Sequence, residues 1–248
     1  MNRRKLVAIG AVLAATAVVG GWAAFGRSES PSADRPVAGA DPAAVLVDAA
    51  AATDRESYRL TVGSGAEGDG TVLVWDPRAR RGLETTSLKV PAGEVKVERL
   101  VTGTDAYVRV SAPDRRVPEW DGRTWWHVPV DGGRGLDNTR LASTLRAPSG
   151  VRQTGDREYA GTLDLRDSAD VLGEGVGAVL GDRAGAVPFT ATLDERGRLV
   201  RYRIELAAEP GRAASLDLTY ADFGLPVSVQ QPAAELVRDD PPANIPGA

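Results

Sequence analysis

Cysteine is absent from the 248 residues and histidine occurs once. The first absence excludes disulfide frameworks, thiolate zinc sites, cysteine nucleophiles and lipid attachment through an N-terminal cysteine. The second leaves His127 as the sole imidazole, so a His-rich metal site cannot be built and a serine–histidine hydrolase would have to use that one ring. A basic excess is missing too. Thirty Lys and Arg against 34 Asp and Glu give a net charge of −4 and a pI near 5.2, which argues against nucleic acid as the main partner. What is present is a globular composition, 42% hydrophobic and 26% charged. The length allows one or two domains and the burial of about 70% of the unfolded surface.

Residues 1–26 differ in physical class from the rest. Arg3, Arg4 and Lys5 precede an uncharged run whose stretch Leu6–Phe25 has the 20 residues that, as a helix at about 1.5 Å per residue, cross a hydrocarbon layer of ~30 Å. The basic flank predicts a cytoplasmic N-terminus and an extracytoplasmic remainder. Ala24-Phe25-Gly26 offers a small-x-small cleavage site, so both a signal peptide and an uncleaved anchor fit. Cleavage after Gly26 would give a secreted chain with 27 basic and 34 acidic side chains, net −7. Residues 27–40, rich in Ser, Pro and Ala, read as a flexible tether.

Folded structure is expected over 41–232. Asp41-Pro42 is an N-cap followed by a proline at the first helical position, and Val45, Leu46, Ala49 and Ala52 share a helical face, which predicts a helix to about Asp54. From Tyr58 the apolar period becomes 2: Tyr58, Leu60 and Val62; Val72 and Val74; Val95 and Val97; Val108 and Val110. Asp121-Gly122 and Asp131-Gly132 are turn signals on either side of a strand over 123–130. Leu141 and Leu145 suggest a short helix. Val171, Leu172, Val176, Val179 and Leu180 suggest a longer one over 168–180, weakened by Gly173, Gly175 and Gly177 and read as a movable cover. A meander of three strands follows, with Phe189 and Leu193, then Tyr202 and Ile204, then Leu216 and Leu218 on one face, and threonines and charges on the other. The tail over 233–248 is polar, proline-rich and expected to be disordered. These elements predict an α+β fold: a large curved antiparallel β-sheet with helices covering its concave face.

The order of segments, together with Glu119-Trp120, Trp125-Trp126, Gly155-Asp156-Arg157-Glu158-Tyr159-Ala160-Gly161, the run from Leu193 to Val200 and the run from Leu218 to Gly224, resembles the LppX/LprG-like actinobacterial envelope lipoproteins. The resemblance covers roughly 41–232 and rests on structural turns. It implies a half-open β-barrel similar to the carriers LolA and LolB, with an apolar cavity for the acyl chains of a lipid or glycolipid. Those relatives are anchored through an acylated cysteine that this chain lacks, which leaves Leu6–Phe25 to hold it at the cell membrane. The candidate cavity lining is Val72, Val74, Val108, Val110, Val171, Leu172, Val176, Leu180, Phe189, Leu193, Tyr202, Ile204, Leu216 and Leu218.

Other features have ordinary readings. His127 fits a plain strand position. Gly173-x-Gly175-x-Gly177 lacks the strand–loop–helix context of a dinucleotide site. Arg78, Arg80 and Arg81 beside Asp76-Pro77 make a solvated hairpin tip, with anionic lipid heads as the other reading. Trp120, Trp125 and Trp126 suit sheet packing or a ligand mouth. Asp194, Glu195, Asp217 and Asp222 fall on polar faces and turns, unpaired for acid–base work. The expectation is therefore a non-enzymatic lipid-binding or carrier protein without cofactor or metal; the competing class is an envelope sensor or protein-interaction module on the same fold.

Overall fold

A computed structural model describes residues 40–63, 70–113, 120–129, 137–166, 180–206 and 215–242. The chain enters through helix α1 (Pro42–Thr53), where the Asp41 carboxylate accepts the Ala43 amide at 3.1 Å and Pro42 stands in the first turn, as the Asp-Pro pair predicts. Strands β1 (Tyr58–Gly63), β2 (Gly70–Asp76), β3 (Arg81–Val90), β4 (Gly93–Thr102), β5 (Asp105–Ser111) and β6 (Trp125–Pro129) follow as consecutive antiparallel neighbours. A 3-10 segment, Asp137–Arg146, leads to β7 (Ser149–Gln153) and β8 (Glu158–Leu163). The meander is β9 (Val187–Leu193), β10 (Leu199–Glu205) and β11 (Ser215–Ala221), and the last strand is β12 (Val237–Arg238).

All twelve strands lie in one sheet, ordered β12-β6-β5-β4-β3-β2-β1-β11-β10-β9-β8-β7. The pairing β1·β11 joins the N-terminal and C-terminal meanders, with Leu60 opposite Tyr220. β12 pairs with β6 in parallel, so the sheet is mixed. Its ends, β7 and β12, do not pair, and the sheet does not close into a barrel.

This corrects the expected half-open barrel with a helix-covered concave face. The single α-helix among the described residues packs on the 3-10 segment 137–146, β7 and β10, at one end of the sheet. Size explains why it covers no more: twelve residues at about 1.5 Å make a rod of ~18 Å, whereas twelve strands at ~4.8 Å span ~53 Å. The transmembrane helix, and the anchored envelope localisation built on it, are corrected as well. Among the described residues no helix is long and apolar enough to cross a membrane, and Leu6–Phe25 lies outside them. Most of the glycine-weakened segment 168–180 also lies outside; only Leu180 is described. The tail expected to fray is held through Arg238, because Val237 and Arg238 stand in register with Trp125 and Trp126.

Candidate functional site

Alternation along the strands gives the sheet two faces, and burial shows how each is used. On the face that receives α1, Leu46, Ala49 and Ala50 pack with Tyr58, Leu60, Leu73, Phe189, Ala191, Tyr202, Ile204, Leu218 and Tyr220 in one continuous core. The aromatic rings interlock edge to face, Tyr58 with Tyr220 at 5.5 Å and Phe189 with Tyr202 at 5.9 Å. The Tyr202 and Thr144 hydroxyls share a hydrogen bond of 2.7 Å, and burial pushes the Tyr202 phenol well above its ordinary value.

Further along the same face, where α1 does not reach, a second apolar cluster is built from Val108 and Val110 of β5, Trp126 of β6, and Trp120. Val95, Val97, Ala112 and Val128 pack against it and remain only half-buried. The register sets them side by side, Val97 opposite Val110 and Ala106 opposite Val128. The Trp120 indole nitrogen is buried without a hydrogen-bond partner among the described residues, an expensive state for an N–H.

The opposite face is polar over β7–β11 and mixed over β3–β6, where Leu83, Leu100, Tyr107 and Trp125 stand among Glu98, Asp105, Arg109 and His127. There Leu100, Tyr107 and Trp125 form a third cluster beneath Leu83, Val229 and Val237. The Gln231 side-chain amide donates to the Tyr107 hydroxyl, and the Arg109 guanidinium stacks 4.4 Å over Trp125 while meeting Glu98 at 2.6 Å. His127 lies here between carboxylates, Nε2 3.0 Å from Asp105 and Nδ1 3.4 Å from Asp239. The plain strand position thus also lies beside the C-terminal segment.

The sequence-derived lining residues divide among these places. Phe189, Tyr202, Ile204 and Leu218 are at most 1% exposed and, with Leu193 and Leu180, belong to the packed core. Leu216 is half-buried at its edge. Val108 and Val110 belong to the second cluster. Val72 and Val74 are corrected: the buried residues of β2 are Thr71, Leu73 and Trp75, on the other side of the strand, and Val72 points away from the core with 40% of its surface exposed. Val171, Leu172 and Val176 lie outside the described residues. Alternation could have found Val95, Val97 and Val128 as partners of Val110 and Trp126; their half-burial could not be read from it. Arg78 to Arg81 occupy the β2–β3 hairpin tip, where the Arg78 and Ala79 amides donate to Asp76 at 3.1 and 3.0 Å. Among the described residues no group of three or more His, Asp or Glu could hold a metal ion.

No family model matches this chain and no curated protein matches it. Among solved structures it is similar to an uncharacterized conserved protein from Thermus thermophilus, at 14% identity, with 81% of this chain and 100% of that one covered and a TM-score of 0.42. A likeness at that level carries no inference about function.

Proposed function

We propose that this chain is a non-enzymatic binding protein for a lipid or similar lipophilic molecule, held against the helix-side face over β4–β6. The observation that carries the reading is the half-buried cluster of Val95, Val97, Ala112 and Val128 around Trp120 and Trp126, beyond the reach of α1. Apolar surface of this kind gains about 25 cal/mol per Å² when a ligand removes it from water. The Trp120 N–H, which has no hydrogen-bond partner among the described residues, adds a donor for an ester, amide or hydroxyl oxygen on an otherwise apolar ligand. The resemblance to the LppX/LprG-like lipoproteins points the same way. The ligand seat differs from the one the sequence suggests, because Phe189, Tyr202, Ile204 and Leu218 are already packed against protein.

Organic extraction of the purified protein followed by mass spectrometry, paired with titration of a fluorescent fatty acid, tests this reading. Lipid in the extract and saturable binding weakened by Val97→Asp are expected. An empty extract with no fatty-acid binding overturns the reading and leaves the second one, a protein-interaction module, which the close packing of the main core favours.

A further inference from the structure

Strand β6 serves both faces of the sheet. Alternation turns Trp126 and Val128 toward the apolar seat over β4–β6, and Trp125 toward the other face, where Val237 packs against its cluster. One edge of β6 pairs with β5; the other meets β12, whose Val237 and Arg238 stand opposite Trp125 and Trp126.

β12 is the end of a long strap. The chain leaves β11 through a turn tied to the start of β1, where the Gly224 amide donates to the Ser57 carbonyl at 2.7 Å and the Ser57 hydroxyl to the Leu225 carbonyl at 2.6 Å. It then crosses the face opposite α1 to reach β6. Val227 is buried on the way and Val229 is half-buried against the cluster of Leu100, Tyr107 and Trp125, while Pro226, Ser228 and Gln230 are exposed between and beside them. Among the described residues no backbone amide from 227 to 231 bonds a backbone carbonyl. The strap is therefore held by a few side chains, Gln231 on the Tyr107 hydroxyl among them, and by two residues of strand pairing. So few attachments put a segment at the low end of local stability.

We infer that the strap regulates the lipid seat through β6, an inference that rests on the lipid reading of that seat. With the strap docked, β6 is an inner strand, and Trp126 and Val128 are held where a ligand meets them. With the strap away, β6 is an edge strand paired on one side only, and the ligand has to order it on binding, which lowers the affinity. The sign follows from the faces: the strap lies across the sheet from the seat and blocks no part of it, so docking assists the ligand rather than competing with it. By linkage, a ligand in the seat holds the strap down by the same factor.

Titration of oleate into the full-length protein, with hydrogen exchange followed in its presence and absence, tests the coupling. In the unmodified protein oleate should slow exchange at Val237 and Arg238, and Val97→Asp, in the seat, should abolish that slowing. Arg238 is the β12 residue whose register places it on the seat's face, so Arg238→Gln should leave the slowing unchanged; its loss would mean direct contact in place of coupling through β6 and would overturn the inference. Val229→Ser combined with Val237→Ser, which releases the strap, should weaken oleate about fivefold or more while β9 and β10 keep their protection. Equal oleate affinity with the strap held or released overturns the inference. So does oleate binding that slows Val95–Val97 and leaves Val237 and Arg238 unchanged, a comparison that needs no variant to fold. Absence of oleate binding by the unmodified protein is instead the failure of the lipid reading. The coupling is then read without ligand, from exchange at Trp126–Val128, which release of the strap must hasten; no change there overturns it as well.

Discussion

Ile204 has no exposed surface, whereas its neighbour Arg203 points to the other side of β10 and lies half in water between Glu205 and Asp217. Ile204→Ala should therefore cost about 2–5 kcal/mol, and Arg203→Ala under about 1 kcal/mol, read from urea midpoints of the two variants. Equal costs would mean that the faces of β10 are misassigned. Aspartate at 203 is not a neutral control, since it would set three acids together. Gly82 has a sharper constraint: a Cβ there would sit 2.3 Å from the Val74 carbonyl and 2.7 Å from the Trp75 ring. Gly82→Ala must shift the β2–β3 pairing, at an expected loss of about 1–3 kcal/mol in a thermal melt. Asp194 ties stability to pH. Burial opposes its ionisation, but the Arg198 and Arg196 amides, each at 2.9 Å, and the Arg198 guanidinium at 2.8 Å outweigh it and hold the carboxyl below its ordinary value. A folded-state pKa below the unfolded one stabilises above the ordinary value of about 3.9 and stops doing so as pH falls through the folded value. Asp194→Asn should thus lower the melting temperature at pH 7 and converge with the unmodified protein as pH falls through the lowered folded value. A constant gap across that range would show that the charge contributes nothing.

At the scale of elements, the legible parts were those whose local chemistry leaves one solution. Asp41-Pro42 starts α1, alternation marks β1, β9, β11 and β10 from Arg201 onward, and Asp121-Gly122 turns the chain before β6. Illegible parts are those where local chemistry is neutral. In β2 the run Val72-Leu73-Val74-Trp75 is apolar on both sides, and only the pairing of Leu73 with Leu60 decides which side is core. β7 is short and polar, and it becomes a strand by pairing with β8. β12 has two residues and no pattern of its own; the exposed edge of β6 and the apolar contacts of Val229 and Val237 create it. A chain ending at Pro232 should consequently uncover Trp125, with a red shift in tryptophan emission and a lower melting temperature. Unchanged emission would mean that the tail does not shield the ring.

At the largest scale, the controlling quantity among the described residues is how little of the sheet their one short helix can protect. Strand periodicity reported that a face is apolar, and it carried no measure of what covers it, so a plain packed core and a ligand seat looked alike. Coverage predicts a gradient of local stability. Amides of β1, β10 and β11, in or beside the fully buried core under α1, should exchange with deuterium near the global unfolding rate. Those at the β3–β4 hairpin end, where Lys89, Val90, Gly93 and Glu94 are exposed, should exchange first. A lipophilic ligand seated over β4–β6 then has a defined signature. Adding a long-chain fatty acid should slow exchange around Val95–Val97 and Trp126–Val128, through burial of the half-exposed valines, while Phe189–Leu193 stays as it was. Slowing confined to β9 and β10 would instead place the ligand under α1, among side chains now packed against protein. That result would require the main core to open on binding, with a loss of protection in α1 that the same experiment reads.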